Sequence, residues 1–506
     1  MKNHLTILYI FLGSGCLMGQ VNIAWQRCIG GSMQDEGTTV CKARNGDFVV
    51  AGYALSEDGD VAMPNGFNDY FITRLDSLGE IKWTQSFGGT GHDRAYTVHE
   101  CEMGYLISGN TKSNDGDVSG YHGDFDGWAV KVDNNGVLQW QKCYGGMGWE
   151  SFWASKQTLD KGHILVGRSG EIDGDVTGNQ GFIDVWAVRI DSLGEIEWQT
   201  SIGGSALDIA YAVDVCTDGG YIIAGESQSN DKDVSANFGS SDYWIVKLSA
   251  EGKIVWERTY GGSLLDRPND IKQTIDGGYV VIGQSNSSDG DITNAHGGFD
   301  FWILKLDALG NIVWQQSLGG TNNDFGRSVT LLNNGSFVFS GGSLSKDGDL
   351  NNNLGNFDCW VVCLSADGIL KWQKNIGGEG DDWANAITSV NNESLVIAGY
   401  TWSNDNDVSG NHGSSDYWIV KLSAPSSSTS APEPARLMLA PNPAREHIQL
   451  LWPPVESGAR VRITDALGRV HIDTRLDATG VLDVSGLQSG VYFVEAMGAV
   501  EKLVKE

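Results

Sequence analysis

Three aspartates recur together in this chain at constant spacing, and carboxylates grouped in that way can do chemistry. In "SNDGDVSG", Ser113 to Gly120, Asp115 and Asp117 stand two apart, and Asp126 follows nine residues later. "SNDNDVSG", Ser403 to Gly410, repeats the arrangement with Asp405, Asp407 and Asp416. Residues two apart on an extended segment share a face. Gly123 and Gly413, just ahead of the third aspartate, permit a tight return that would gather all three. Three carboxylates with loop carbonyls would suit Ca²⁺, a hard cation that takes roughly six to eight oxygens. The spacing is not that of an EF-hand loop, which places a glycine directly after its third acidic position. Aspartate also caps loop amides through its own side chain with no metal present. Both readings stay open, with Asp115, Asp117, Asp126, Asp405, Asp407 and Asp416 as the candidate ligands.

The same loop occurs seven times. The paired positions are Asp58/Asp60, Asp115/Asp117, Asp173/Asp175, Asp231/Asp233, Asp289/Asp291, Asp347/Asp349 and Asp405/Asp407. The third aspartates are Asp69, Asp126, Asp184, Asp242, Asp300, Asp358 and Asp416, each two before an aromatic residue. The step is 58 residues, or 57 where one residue is lost. A second ladder keeps it: Trp25, Trp83, Trp140, Trp198, Trp256, Trp314 and Trp372, each followed by a Gly-Gly pair. Repetition at such a period marks a solenoid, a propeller or an array. Because paired carboxylates are everywhere, they do not single out a glycosidase site.

Each unit reads as four short strands with turn chemistry between them, as in "NIVWQQSLGG", "GRSVTLL", "SFVFSGGSLS" and "DCWVVCLS" from Asn311 to Ser365. Val, Ile, Phe and Trp sit on both faces, as in a sheet covered on both sides. The expected fold is all-β, a seven-bladed β-propeller over residues 21–423. The regularly placed Trp residues are read as packing between blades. The seventh unit ends at "DYWIVKLS" with no Trp strand after it, and "VNIAWQRCIGG" has no partner before it. The N-terminal strand is therefore expected beside Tyr417–Leu422, closing the ring and removing both sheet edges. With strands lettered A to D from the centre outward, the acidic B–C loops and the Gly-Gly D–A loops share one face. Asp35, Asp93, Asp208, Asp266, Asp324 and Asp382, with Glu150 in the third copy, join them there. Function is expected on that face.

Residues 1–20 carry Lys2, an apolar run and then small residues, the pattern of a secretory signal peptide with cleavage near Gly19–Gln20. Cys16 raises a lipoprotein alternative, although Gly13 stands where a Leu is preferred. No later stretch is apolar for long enough to cross a bilayer as a helix. The other seven cysteines are expected to be buried free thiols. The net charge of −30 argues against nucleic acid or an anionic membrane as partner. The charge belongs to the architecture, since the loops contribute 21 of the 64 acidic residues.

The pattern "W…GG…D…DGGYxxxGxSxS" resembles the seven-bladed propeller repeats of secreted bacterial proteins, which implies a fold and a secreted scaffold but no single activity. After it comes a Ser/Pro-rich linker, 424–435, and then residues 436–506, which read as a small β-sandwich. Pro441-Asn442-Pro443, Asp465 with Gly468-Arg469, Leu487 with Gly490-Val491-Tyr492, and Lys502-Leu503-Val504-Lys505 resemble the C-terminal sorting domain of type IX secretion. The resemblance implies the secretion machinery as partner, passage across the outer membrane, and a secreted or cell-surface location.

Two functional classes follow. One is a non-enzymatic binding or adhesion scaffold that presents the acidic face to a glycan or protein. The other is an extracellular hydrolase or lyase acting on glycans at that face. Catalysis needs unlike groups converging at one place, so a site should show as breaks in the repeat. Breaks occur at Trp149, Glu150, Trp153, Arg168 and Glu171 in unit three, and at Trp383 and Trp402 in unit seven. His122, His296 and His412 share a position filled elsewhere by Asn65, Gln180, Phe238 and Leu354, which fits a turn residue better than a metal ligand. No catalytic residue is assigned, and the binding scaffold is the favoured reading.

Overall fold

The computed structural model describes residues 21–61, 65–350 and 352–423. In the C-terminal region it describes 438–505 apart from 441–442, 453–459, 466–467, 477–480 and 497–498. The signal-peptide and linker segments read from the sequence lie outside these residues. The chain divides into two compact units, 1–425 and 426–506.

The first unit contains seven four-stranded antiparallel sheets, here blades I to VII. Blade II shows the plan, with strands Asp93–Cys101 (A), Gly104–Thr111 (B), Asp126–Asp133 (C) and Leu138–Tyr144 (D). The remaining A strands begin at Asp35 (I), Ser151 (III), Asp208 (IV), Asp266 (V), Asp324 (VI) and Asp382 (VII). Each A strand packs on the next, and that of blade VII packs on that of blade I. Closure follows the expected route: Asn22–Ile29 pairs antiparallel with Asp416–Ser423, with Trp25 opposite Lys421 and Cys28 opposite Trp418. It thereby becomes the D strand of blade VII.

Local chemistry makes the hairpins. In the C–D turn of blade II, Asp133 Oδ1 accepts from the amides of Asn135 (2.7 Å) and Val137 (2.9 Å). Gly136 supplies the left-handed residue there, at φ +80°. Packing between blades makes the core. Val49 and Ile72 of blade I share one cluster with Val98, Ile107 and Trp128 of blade II. The C-strand indoles Trp128, Trp186, Trp244, Trp302, Trp360 and Trp418 are fully buried. Their polar ends are satisfied by the D strand, as in Trp128 Nε1 to Gln141 Oε1 at 2.7 Å. The D-strand indoles are half-buried and bind the next blade, as in Trp83 Nε1 to Asn134 O at 3.1 Å. Both Trp ladders are thus spent on the ring itself.

The seven described cysteines are free and all but Cys41 are buried. Burial pushes the thiols of Cys28 and Cys41 up to about 12. The second unit has two sheets, one of three strands and one of four, with Ile448, Leu450, Val461, Ile463, Val494 and Leu503 in its core. Among the described residues no helix is long and apolar enough to cross a membrane.

Candidate functional site

Each Gly-Gly loop offers successive backbone amides, and each amide takes a different acidic partner. Gly88 N donates to Asp117 Oδ2 at 3.3 Å, Gly89 N to Asp93 Oδ2 at 2.9 Å, and Thr90 N to Asp115 Oδ1 at 2.7 Å. Gly91 N then donates to Ser113 Oγ at 2.9 Å. The last blade repeats this, with Gly377 N to Asp407 (3.4 Å), Gly378 N to Asp382 (2.6 Å) and Glu379 N to Asp405 (2.9 Å). Consecutive amides turned toward one concavity form an anion-binding nest, and here the anions are the protein's own side chains.

The third aspartate does something else. Asp126 Oδ2 accepts from His122 N at 2.9 Å and pairs with His122 Nδ1 at 2.8 Å. Asp416 does the same with His412, at 3.0 and 2.6 Å. Asp115 and Asp117 thus share the Gly-Gly loop with Asp93 of their own blade and Asp69 of blade I, across the blade boundary, while Asp126 turns to His122. A Cβ at Gly88 would stand 2.2 Å from Asp69 Oδ1 and 2.7 Å from Asp93 Oδ2, so only glycine fits between the two carboxylates. The boundary is drawn together by Asp93 N donating to Asn68 O at 2.6 Å. Blade packing decides the grouping, which a tight return within one loop does not. Among the described residues no set of three or more His, Cys, Asp or Glu is placed to hold a metal ion.

The acidic face is also less exposed than 21 loop carboxylates would imply. The third aspartates and the Asp93-type residues are buried, each at no more than 1 % exposure. All seven third aspartates keep an Oδ1 atom with no hydrogen-bond partner. Burial raises Asp69 and Asp358 to about 7, and Asp126, Asp184, Asp242 and Asp300 to about 6. Glu150 belongs to this set. It takes the place of Asp93 in blade III, accepts from Gly146 N at 3.0 Å and Gly170 N at 3.4 Å, and is raised by burial to about 7. A row of Ser155, His99 and His163 (3.2 and 2.9 Å) resembles a nucleophile relay, but it is buried, and burial holds both imidazoles down in the neutral form.

Unlike groups converge on the ring axis instead. Every A strand carries a bulge three residues after its Asp35-type carboxylate (Glu150 in blade III), which leaves Thr38, Tyr96, Trp153, Tyr211, Asn269, Arg327 and Asn385 without a partner on the B strand. Bulges re-aim side chains, and these are half-buried beside the axis, near the acidic-loop face. Around them run contacts that pass through every blade. Arg94 lies over the Tyr53 ring at 4.8 Å, and Tyr96 stacks on Trp153 at 4.4 Å. Trp153 meets Tyr211 edge-on at 5.7 Å, and Arg267 lies over Tyr211 at 5.3 Å. Arg327 lies over Trp383 at 5.1 Å, Trp383 stacks on Tyr400 at 6.4 Å, and Tyr53 donates to Glu36. Burial, with Arg267 nearby, pulls the Arg327 guanidinium down to about 10.

Of the sequence breaks, Trp153, Arg168 and Trp383 belong to this mouth. Trp149, half exposed, lies under the Arg168 guanidinium at 4.1 Å. Trp402 is 46 % exposed, Glu171 is exposed, and Glu150 is a clamp. Sequence reasoning missed Arg94, Arg267, Arg327 and Tyr211. Aligning the seven units on Asp35, Asp93, Glu150 and their equivalents would have found Arg94 and Arg267 at the second position and Tyr211 and Arg327 at the fourth, because both positions vary from copy to copy.

Residues 438–506 match the family of secretion system C-terminal sorting domains. Regulatory protein FlaEY of Caulobacter vibrioides is 27% identical over 164 residues, which cover 31% of this chain and only 16% of that protein. Similar solved structures include the Neurospora crassa Pan2 WD40 domain, with TM-score 0.42 and 9% identity over 77% of this chain and 90% of that one. Sqt1 from Chaetomium thermophilum gives TM-score 0.40 and 12% identity, over 85% of this chain and 97% of that one. At these scores the likenesses carry no argument about activity. The chain is an all-β propeller repeat protein whose C-terminal type IX sorting domain marks it for export to the cell surface or the extracellular space.

Proposed function

We infer that the exported protein is a non-enzymatic binding scaffold whose ligand docks at the axial mouth of the acidic-loop face. One observation carries this: the repeat is regular in its clamps, turns and Trp ladders, and diverges residue by residue where the A-strand bulges surround the axis. A ring of like groups holds a fold together, whereas unlike groups at one place recognise something. The Ca²⁺ reading of the loops is set aside in favour of amide caps, because the candidate carboxylates already accept from loop amides.

The experiment is a glycan and protein array probed with the full chain, alongside Trp153→Ala and Trp383→Ala. Both variants should lose a signal that the parent gives. A signal indifferent to both substitutions overturns the site. A glycan that is cleaved instead of retained moves the protein to the hydrolase or lyase class.

A further inference from the structure

The mouth holds four half-buried guanidiniums, of Arg94, Arg168, Arg267 and Arg327, in a chain of net charge −30. None of them makes an ion pair among the described residues. Away from the axis, cations just as enclosed meet carboxylates: Arg74 with Asp47 at 2.7 Å, Lys247 with Asp218 at 2.9 Å, and Lys305 with Asp276 at 2.9 Å. At the mouth, Nε of Arg94, Arg168 and Arg327 and the indole Nε1 of Trp153 are buried with no hydrogen-bond partner. Buried donors left in this state cost stability; elsewhere among the described residues of the ring the buried atoms without a partner are oxygens, so the unmatched N–H donors are confined to the mouth.

We propose that the axial mouth binds a compact anionic saccharide, its carboxylate or sulfate held by the unpaired guanidiniums and its ring faces lying against the neighbouring aromatics. This rests on reading the mouth as the binding site. The planar fork of arginine matches carboxylate and sulfate in a bidentate manner. The Tyr96–Trp153 stack and Trp383 offer apolar faces between the charges. Glu226, already held by Tyr211 at 2.7 Å, lies between the Arg168 and Arg267 blades as an acceptor for hydroxyl groups. The rim selects for size. Asp58, Asp115, Asp231, Asp289, Asp347 and Asp405 stand exposed on the same face, so a long polyanion such as nucleic acid meets repulsion where a single anionic sugar does not.

The test is calorimetric titration of the full chain with trigalacturonate, sialyllactose and a sulfated chondroitin disaccharide, against methyl-esterified trigalacturonate and triglutamate. At least one anionic sugar should bind, with affinity falling as salt rises. Esterification and Arg327→Gln should each weaken binding at least about tenfold, while Arg44→Gln on the opposite face leaves it unchanged. Thermal melts confirm that each variant is folded, and Arg327→Lys, which keeps the charge but not the fork, should fall between. Failure of all three sugars, or equal binding of the ester, overturns the proposal, and preference for triglutamate reassigns the ligand to acidic peptide. Binding that survives Arg327→Gln but is lost in Trp153→Ala removes the anion and leaves the mouth standing. Binding indifferent to both removes the mouth as well.

Discussion

The clamps and the axial mouth lie on the same face of the same ring and obey opposite rules. In a clamp, three amides meet three carboxylates and a serine hydroxyl takes a fourth, in nearly the same geometry from blade to blade. At the mouth, no two adjacent blades present the same bulge residue, and charged donors are left unmatched. The clamps put buried charge into stability. The mouth withholds it from stability, and that expense needs a partner outside the chain.

The comparison breaks most visibly at Asp93. It accepts from Gly89 N, Thr111 Oγ1 and Ser113 Oγ, so Asp93→Ala strands three buried donors and should cost about 4 kcal/mol in chemical denaturation. A loss under about 1 kcal/mol would show that the clamps are ornamental to stability.

Acidity comes next. Six of the third aspartates (Asp69, Asp126, Asp184, Asp242, Asp300 and Asp358) have folded-state values of about 6 to 7, above an unfolded value of about 4, and burial raises Asp416 in the same direction. The folded chain therefore holds extra protons between those limits. The stability this contributes is complete below about pH 4 and is lost as pH rises through 6 to 7. Exposed clamp residues such as Asp289 and Asp347 are shifted down by their amide bonds, so their contribution fades only below about pH 4. The melting temperature should thus fall between pH 5 and pH 8. Asp358→Asn, which mimics the neutral acid, should flatten that fall by melting higher than the parent at pH 8.

Arg327→Gln sharpens the contrast with the opposite sign. Removing an unpaired, largely enclosed charge should leave stability unchanged or raise it by about 1 kcal/mol, even as ligand binding is lost. The smallest effect is expected from chelation. Excess EDTA at fixed ionic strength should leave the melt in place, whereas cation sites filled at a hundredfold excess over their Kd would each contribute about 2.7 kcal/mol.

Much of the fold is legible before any coordinates. The period, the four strands per unit and the pairing of the Trp25 strand with Asp416–Ser423 follow from turn residues, alternation and the need to leave no open edge. The part played by the Gly-Gly pairs was half legible. Their constancy marked the D–A turns, without showing that Asp69 and Asp93 from two different blades close on Gly88 there. The net charge of −30 concealed the mouth, because four arginines are lost in a sum over 506 residues.

The sequence by itself determined the architecture and the address, since strands, turns and the sorting motifs are local or strictly periodic and survive without knowledge of what lies across the ring. Only the tertiary structure decided which carboxylates share an amide nest and which side chains face the axis. Those choices are made between blades and at a one-residue bulge, and both depend on contacts that spacing along the chain does not encode.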